Sequence, residues 1–105
     1  MNAIVIGEDE YALGDALEAK GVAVTYLDGI ANRPALEDAG ITDCDLLVLT
    51  DVSQATSIPV AKDINENLRV VVYADDSVPE FVRGQAGLII DPDLLAVETV
   101  AEELV

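Results

Sequence analysis

Ala3-Ile4-Val5-Ile6-Gly7, followed directly by Glu8-Asp9-Glu10, is the stretch that decides the fold. A short apolar run rich in β-branched residues, then a glycine, then acids suited to the positive end of a helix, reads as a buried strand, a turn and a helix. The helix is expected from Glu8 or Asp9 to Lys20, stopping at Gly21, with Tyr11, Leu13, Ala16 and Leu17 as its inner stripe. A strand that passes through a glycine turn into a helix is the opening unit of a doubly wound parallel sheet.

Working outward, four more apolar runs recur with room for helices between them: Val22–Leu27, Asp45–Thr50, Arg69–Ala74 and Gly87–Ile90. The first, third, fourth and fifth runs of the chain are continuous rather than alternating, as strands covered on both faces should be. Asn32 with Pro34 predicts a short helix ending at Gly40, and Pro59 makes the next helix begin late, near Ser57, or kink. Ser77-Val78-Pro79-Glu80 has capping-box spacing, and its helix should end by Gly84. The last helix is expected to start at Asp91-Pro92-Asp93 and to carry Leu94, Leu95, Val97, Val100, Ala101 and Leu104 to the end. Strands alternating with helices mean right-handed crossovers in a parallel sheet. The expected fold is α/β, a three-layer parallel sheet of five strands in the order 2-1-3-4-5, formed by residues 1–105 as one domain.

Composition limits function more than it defines it. The chain of 105 residues is 51% hydrophobic and carries 21 acids against 5 bases, with no histidine and a net charge of −16. Such a surface fits a salt-rich cytoplasm, where self-repulsion is screened. Nucleic acid is not an expected partner, because there is no basic patch and almost no aromatic to stack bases. No run approaches the ~18 apolar residues that span a bilayer and no signal segment is evident, so a cytoplasmic location without membrane insertion is expected. Serine or cysteine catalysis assisted by histidine is unavailable, as are Cys–His zinc sites and the G-x-x-x-x-G-K-[ST] phosphate loop. Cys44 precedes an apolar run and reads as a packing residue. No catalytic constellation is visible.

The residues that follow the strands form one pattern: Glu8-Asp9-Glu10, Asp28, Asp51, Asp75-Asp76, then Asp91 and Asp93. Ligands bind at the carboxyl ends of the strands in such sheets, so every strand delivers a carboxylate to the edge where a ligand would sit. Helix capping and salt adaptation explain most of these acids. A divalent cation such as Mg²⁺, held by Glu8, Asp9 and Asp51 with Asp28 beside them, is the specific alternative, since hard cations take several oxygen ligands.

Ala35-Leu36-Glu37-Asp38-Ala39-Gly40-Ile41-Thr42-Asp43-Cys44-Asp45 followed by Leu46-Leu47-Val48-Leu49-Thr50-Asp51 resembles the corresponding stretch of TrkA-N domains, the N-lobes of RCK proteins. Arg69–Asp76 and Ile89–Leu95 look like that family's next two units. The resemblance implies a Rossmann-like regulatory lobe binding NAD(H) or ATP and linked to potassium transport. Gly7, Glu8, Asp9 and Asp51 would then surround the cofactor, and Asp28 would stand where the family keeps its ribose-binding acid. Two departures modify this. The extra helix and strand after Asp28 are missing, and side chains occupy two of the three fingerprint glycine positions. Tight dinucleotide binding is therefore not expected, and the reading is a binding or regulatory module without a cofactor, open to a protein partner or to pairing with a second copy.

Receiver domains offer another resemblance. Glu8 and Asp9 match their acidic pair and Asp51 their phosphorylated aspartate, with Mg²⁺ as the implied ion. Ala74 stands where a Ser or Thr is expected and Asp91-Pro92 where Lys-Pro is expected. This implies a degenerate receiver-like domain rather than an active one.

Overall fold

A computed structural model describes residues 1–75 and 77–105. Five strands, β1 (Asn2–Ile6), β2 (Ala23–Leu27), β3 (Leu46–Leu49), β4 (Arg69–Tyr73) and β5 (Leu88–Ile90), form one sheet in the order β2-β1-β3-β4-β5. All neighbouring pairs are parallel: Ala3 faces both Val24 and Leu46, Leu46 faces Arg69, and Val71 faces Leu88. Among the described residues, five α-helices connect and flank them: α1 (Leu13–Ala19), α2 (Arg33–Asp38), α3 (Ser57–Ile64), α4 (Glu80–Arg83) and α5 (Val97–Leu104). The α/β fold and strand order expected from the sequence are those observed.

Alternation along the central strands sends side chains to two cores. On one face Ile4, Ile6, Leu47, Leu49, Val70 and Val72 pack with Leu36 of α2, Ile58 and Ala61 of α3 and Val82 of α4. On the other, Ala3, Val5, Leu46, Val48, Val71 and Tyr73 meet Leu13 and Leu17 of α1 and Val100, Ala101 and Leu104 of α5. Each large apolar side chain buried this fully stabilises the fold by roughly 1.5–3 kcal/mol.

The edges of the elements depart from expectation in instructive ways. α1 begins at Leu13 instead of Glu8 or Asp9, because Ala12 before it takes a left-handed conformation at φ 58°. Tyr11 is thereby left outside the helix and 38% exposed. α3 begins at Ser57, which places Pro59 in its first turn, where proline is tolerated. α4 starts after Pro79, which stands at its N-cap in place of the expected Ser77. Asp91 folds onto its own loop, its Oδ1 accepting from the Asp93 amide at 2.9 Å, and α5 is delayed to Val97. Leu94 and Leu95, expected within this helix, therefore precede it and are exposed. β5 lies at the edge of the sheet, and Leu88 and Ile89 are exposed although the run is continuous.

Candidate functional site

The carboxyl ends of β1, β2 and β3 bring two adjoining clefts together. One, of about 280 Å³, is lined by Glu8, Glu10, Thr50 and Asp51. The other, of about 330 Å³, is lined by Gly7, Glu8, Leu27, Asp28, Gly29, Asp51 and Gln54. Glu8 and Asp51 belong to both. None of the chain's five bases lines either cleft.

Asp9 is the expected site residue that the fold takes elsewhere. Its Oδ2 accepts from the Gly14 amide at 2.9 Å, capping α1 from five residues away. Gly14 has no side chain for a reason: a Cβ there would stand 2.9 Å from Asp9 Oδ2 and collide with the Tyr26 hydroxyl. That hydroxyl donates to Glu18 Oε1 at 3.0 Å. Its pKa is raised, by desolvation first and then by the Glu18 hydrogen bond and the charges of Glu18, Asp9 and Asp15. Asp9 thus belongs to the α1–β2 surface, while Glu8, Asp28 and Asp51 remain on the clefts. Among the described residues, no three carboxylates or thiols converge closely enough to hold a metal ion. Asp75 is exposed beyond β4, and Asp76 of the expected acidic edge lies outside the described residues.

Asp51 is engaged by its own loop. Its Oδ1 accepts from the Ser53 amide at 3.0 Å and from the Ser53 hydroxyl at 2.6 Å, capping a short 3-10 turn at Val52–Gln54. Sequence reasoning passed over its neighbours on both sides. Thr50 donates from its hydroxyl to the carbonyls of Ile6 at 3.1 Å and Glu8 at 2.7 Å, tying the β1–α1 loop to the end of β3. The Gln54 amide donates to the Gly29 carbonyl, and its Oε1 accepts from the Ala31 amide at 2.8 Å, bracketing the β2–α2 loop. Tyr11 packs edge-to-face on Tyr73, with centroids 5.7 Å apart and planes at 75°. Its phenol pKa is raised, first by desolvation and then by the charges of Glu10, Asp75 and Asp93.

Gly7 has positive φ, 102°, as a strand-to-helix turn requires. The space a Cβ would enter is filled by the chain itself, with Thr50 Oγ1 2.6 Å away. The glycine therefore serves close contact between two loops of the protein.

These features are those of a parallel α/β fold with acidic clefts that no base lines. The chain belongs to a family of unknown function, DUF7126, whose model matches residues 3–104. Among solved structures it is similar to an orphan response regulator of H. pylori, with a TM-score of 0.72 and 18% identity over 97% of this chain and 92% of that one. It is equally similar to an atypical orphan response regulator described as having a phosphorylation-independent regulatory mechanism, with a TM-score of 0.72 and 20% identity over 98% and 91% of the two chains. A protein of Burkholderia pseudomallei described as pilus assembly-related gives a TM-score of 0.68 and 17% identity over 99% and 86%. No curated protein matches the chain.

These findings correct the TrkA-N (RCK N-lobe) resemblance: the family is a different one, and the solved structures it is similar to include two orphan response regulators. The phrase from Ala35 to Asp51 misleads for a physical reason. It encodes a short helix α2, a left-handed Gly40 at φ 89°, a 3-10 turn and a fully buried strand, a sequence of parts that parallel α/β sheets share. Among the described residues no helix is long and apolar enough to cross a membrane.

Proposed function

We propose that the chain is a receiver-like regulatory module that works without accepting a phosphoryl group. The observation that carries this reading is the state of Asp51. One oxygen of its carboxylate, Oδ1, is held by the amide and hydroxyl of Ser53, and no lysine or arginine lines the clefts beside it. An acyl phosphate formed there would face Glu8 and Glu10 with no fixed counter-charge. At about 5 Å and an effective dielectric of 20, each such carboxylate would oppose a unit charge by about 3 kcal/mol. Ala74 at the end of β4 and Asp91 at the end of β5 supply no hydroxyl and no cation to that edge. Similarity to two orphan response regulators supports the receiver-like part of the reading.

The test is incubation with acetyl phosphate and Mg²⁺ in molar KCl, followed by intact mass. The expected spectrum contains only unmodified protein. A near-stoichiometric phosphoryl adduct that disappears in Asp51→Asn would overturn the proposal.

A further inference from the structure

The two edges of the sheet are protected differently. β2 has a carboxylate held against it, because the Tyr26 hydroxyl donates to Glu18 Oε1 at 3.0 Å. β5 pairs only with β4, and its residues Leu88, Ile89 and Ile90 are all aliphatic. Natural edge strands are usually guarded by a charge, a proline or a bulge, because unpaired backbone groups invite another strand. Leu88 is 44% and Ile89 39% exposed, and the two point to opposite faces, so neither face of the strand is fully covered. On the face that Ile89 shares with Val72, α4 packs Val82 inward and leaves Phe81 exposed.

Charge selects the occupant of this strip. Residues 81–90 hold none of the chain's 21 acids, and Arg83 gives them one positive charge. A basic partner finds no carboxylate there and meets Arg83. A second copy, repelled elsewhere by the net charge of −16, can bring the same strip against this one without opposing two acids. The backbone is set for it. The Ile90 carbonyl accepts from the Ala74 amide at 3.2 Å, so Ile90 turns its backbone towards β4 and Ile89 turns its own to the open edge.

We propose that the chain forms a weak two-fold dimer in which β5 pairs antiparallel with β5 of a second copy, centred on Ile89. The two Ile89 residues exchange both N–H···O=C bonds, Leu88 of each copy stands opposite Ile90 of the other, and the two sheets become one. In that register Asp91 falls opposite Gly87 of the second copy. The two Asp91 residues then lie about 13 Å apart along the strands, at ~3.3 Å per residue. That separation exceeds the Debye length of ~3 Å at 1 M salt and lies within the ~30 Å at 0.01 M. So short a strand makes a small interface, and pairing strengthens with salt.

The experiment is sedimentation equilibrium of the intact chain from micromolar to millimolar concentration, in dilute and in molar KCl, with amide NMR over the same range. In molar KCl the mass should rise towards twice that of one chain, and in dilute KCl it should rise less. Concentration-dependent shifts should be confined to Phe81 and residues 87–91. Contacts between labelled Leu88 methyls and unlabelled Ile90 methyls in a mixed sample should mark the antiparallel register. Ile89→Lys sets like charges opposite each other and should leave a monomer, whereas Ile89→Val should still pair. Leu88→Lys repeats the test if Ile89→Lys does not fold, and Thr25→Lys on β2 should leave pairing intact. A monomer at every concentration in molar KCl, pairing unchanged in the lysine variants of β5, or shifts centred on β2 or the acidic clefts would overturn the proposal. So would shifts in the strip that appear only on adding a peptide of lysine and leucine, which would give the strip to another protein.

Discussion

Gly7 and Asp51 approach so closely that a Cβ on Gly7 would lie 2.7 Å from the Asp51 Cβ and 2.9 Å from its amide nitrogen. The two loops that meet here bear the acidic clefts, and one of the two partners is backbone. Gly7→Ala must therefore shift the β3–α3 loop as well as adopt a φ of 102°. Strain of that kind and overpacking each cost about 1–3 kcal/mol. The expected loss is about 2–4 kcal/mol, read from urea unfolding in molar KCl. A loss below about 0.5 kcal/mol would show that the contact relaxes freely.

Gln54→Leu removes both bonds that bracket the β2–α2 loop while keeping much of the side-chain volume. Hydrogen exchange at the Ala31 amide should accelerate, and global stability should fall by about 1–2 kcal/mol. Unchanged exchange at Ala31 would mean the loop holds its shape without the bracket.

Ser57 is the opposite case, a buried residue whose Oγ has no hydrogen-bond partner. Alanine removes the stranded hydroxyl and is the better helix former. Ser57→Ala should raise stability by about 0.5–1.5 kcal/mol. Destabilisation in the same urea assay would reveal that the hydroxyl has a partner in solution.

The raised pKa of Tyr26 has a definite sign. The folded state holds the phenolic proton more tightly than the unfolded chain, which releases it near the usual value of 10.0. Stability from this group is fully present below that value and declines as pH rises past it toward the higher folded pKa. Tyr26→Phe should therefore remove part of the loss of stability that sets in above pH 10.0. If melting curves of the variant and the natural chain fall in parallel above pH 10, Glu18 and Asp15 do not act on this phenol.

Screening should govern the stability of the whole domain. The Debye length shrinks from ~30 Å at 0.01 M salt to ~3 Å at 1 M. The two ion pairs found among the described residues involve side chains at least one-third exposed and contribute little. The melting midpoint should rise steadily with KCl, and a midpoint independent of KCl would contradict the salt-adapted reading of the composition.

What the sequence discloses and what it conceals follow from distance along the chain. Apolar runs locate the strands because burial on two faces demands unbroken Val, Ile and Leu. The absence of an inserted unit after Asp28 leaves five strands in the order found. Capping at Asn32 is also local: its side chain accepts from the Ala35 amide at 3.0 Å. The start of α1 escapes because its cap, Asp9, acts across five residues and Ala12 takes a conformation rare without glycine. Leu94 and Leu95 are misplaced because an aspartate can close a turn on itself as readily as it caps a helix. Thr50 and Gln54 give no pattern at all, since their partners Glu8 and Gly29 lie far back in the chain. Periodicity cannot report a loop that a distant side chain ties down.

The strand order also dictates how the chain must find its structure. No two adjacent strands are joined by a hairpin: Ala3 must wait for Leu46, and Val71 for Leu88. β1, with β2 on one edge and β3 on the other, cannot complete its hydrogen bonding until nearly half of the sequence is available. Each rung of the ladder requires closure of a long loop before any contact rewards it, the condition under which folding slows and partly formed sheets expose apolar edges. Self-repulsion among the acids keeps such intermediates apart, so the charge that weakens the folded domain in dilute salt also protects the chain on its way there.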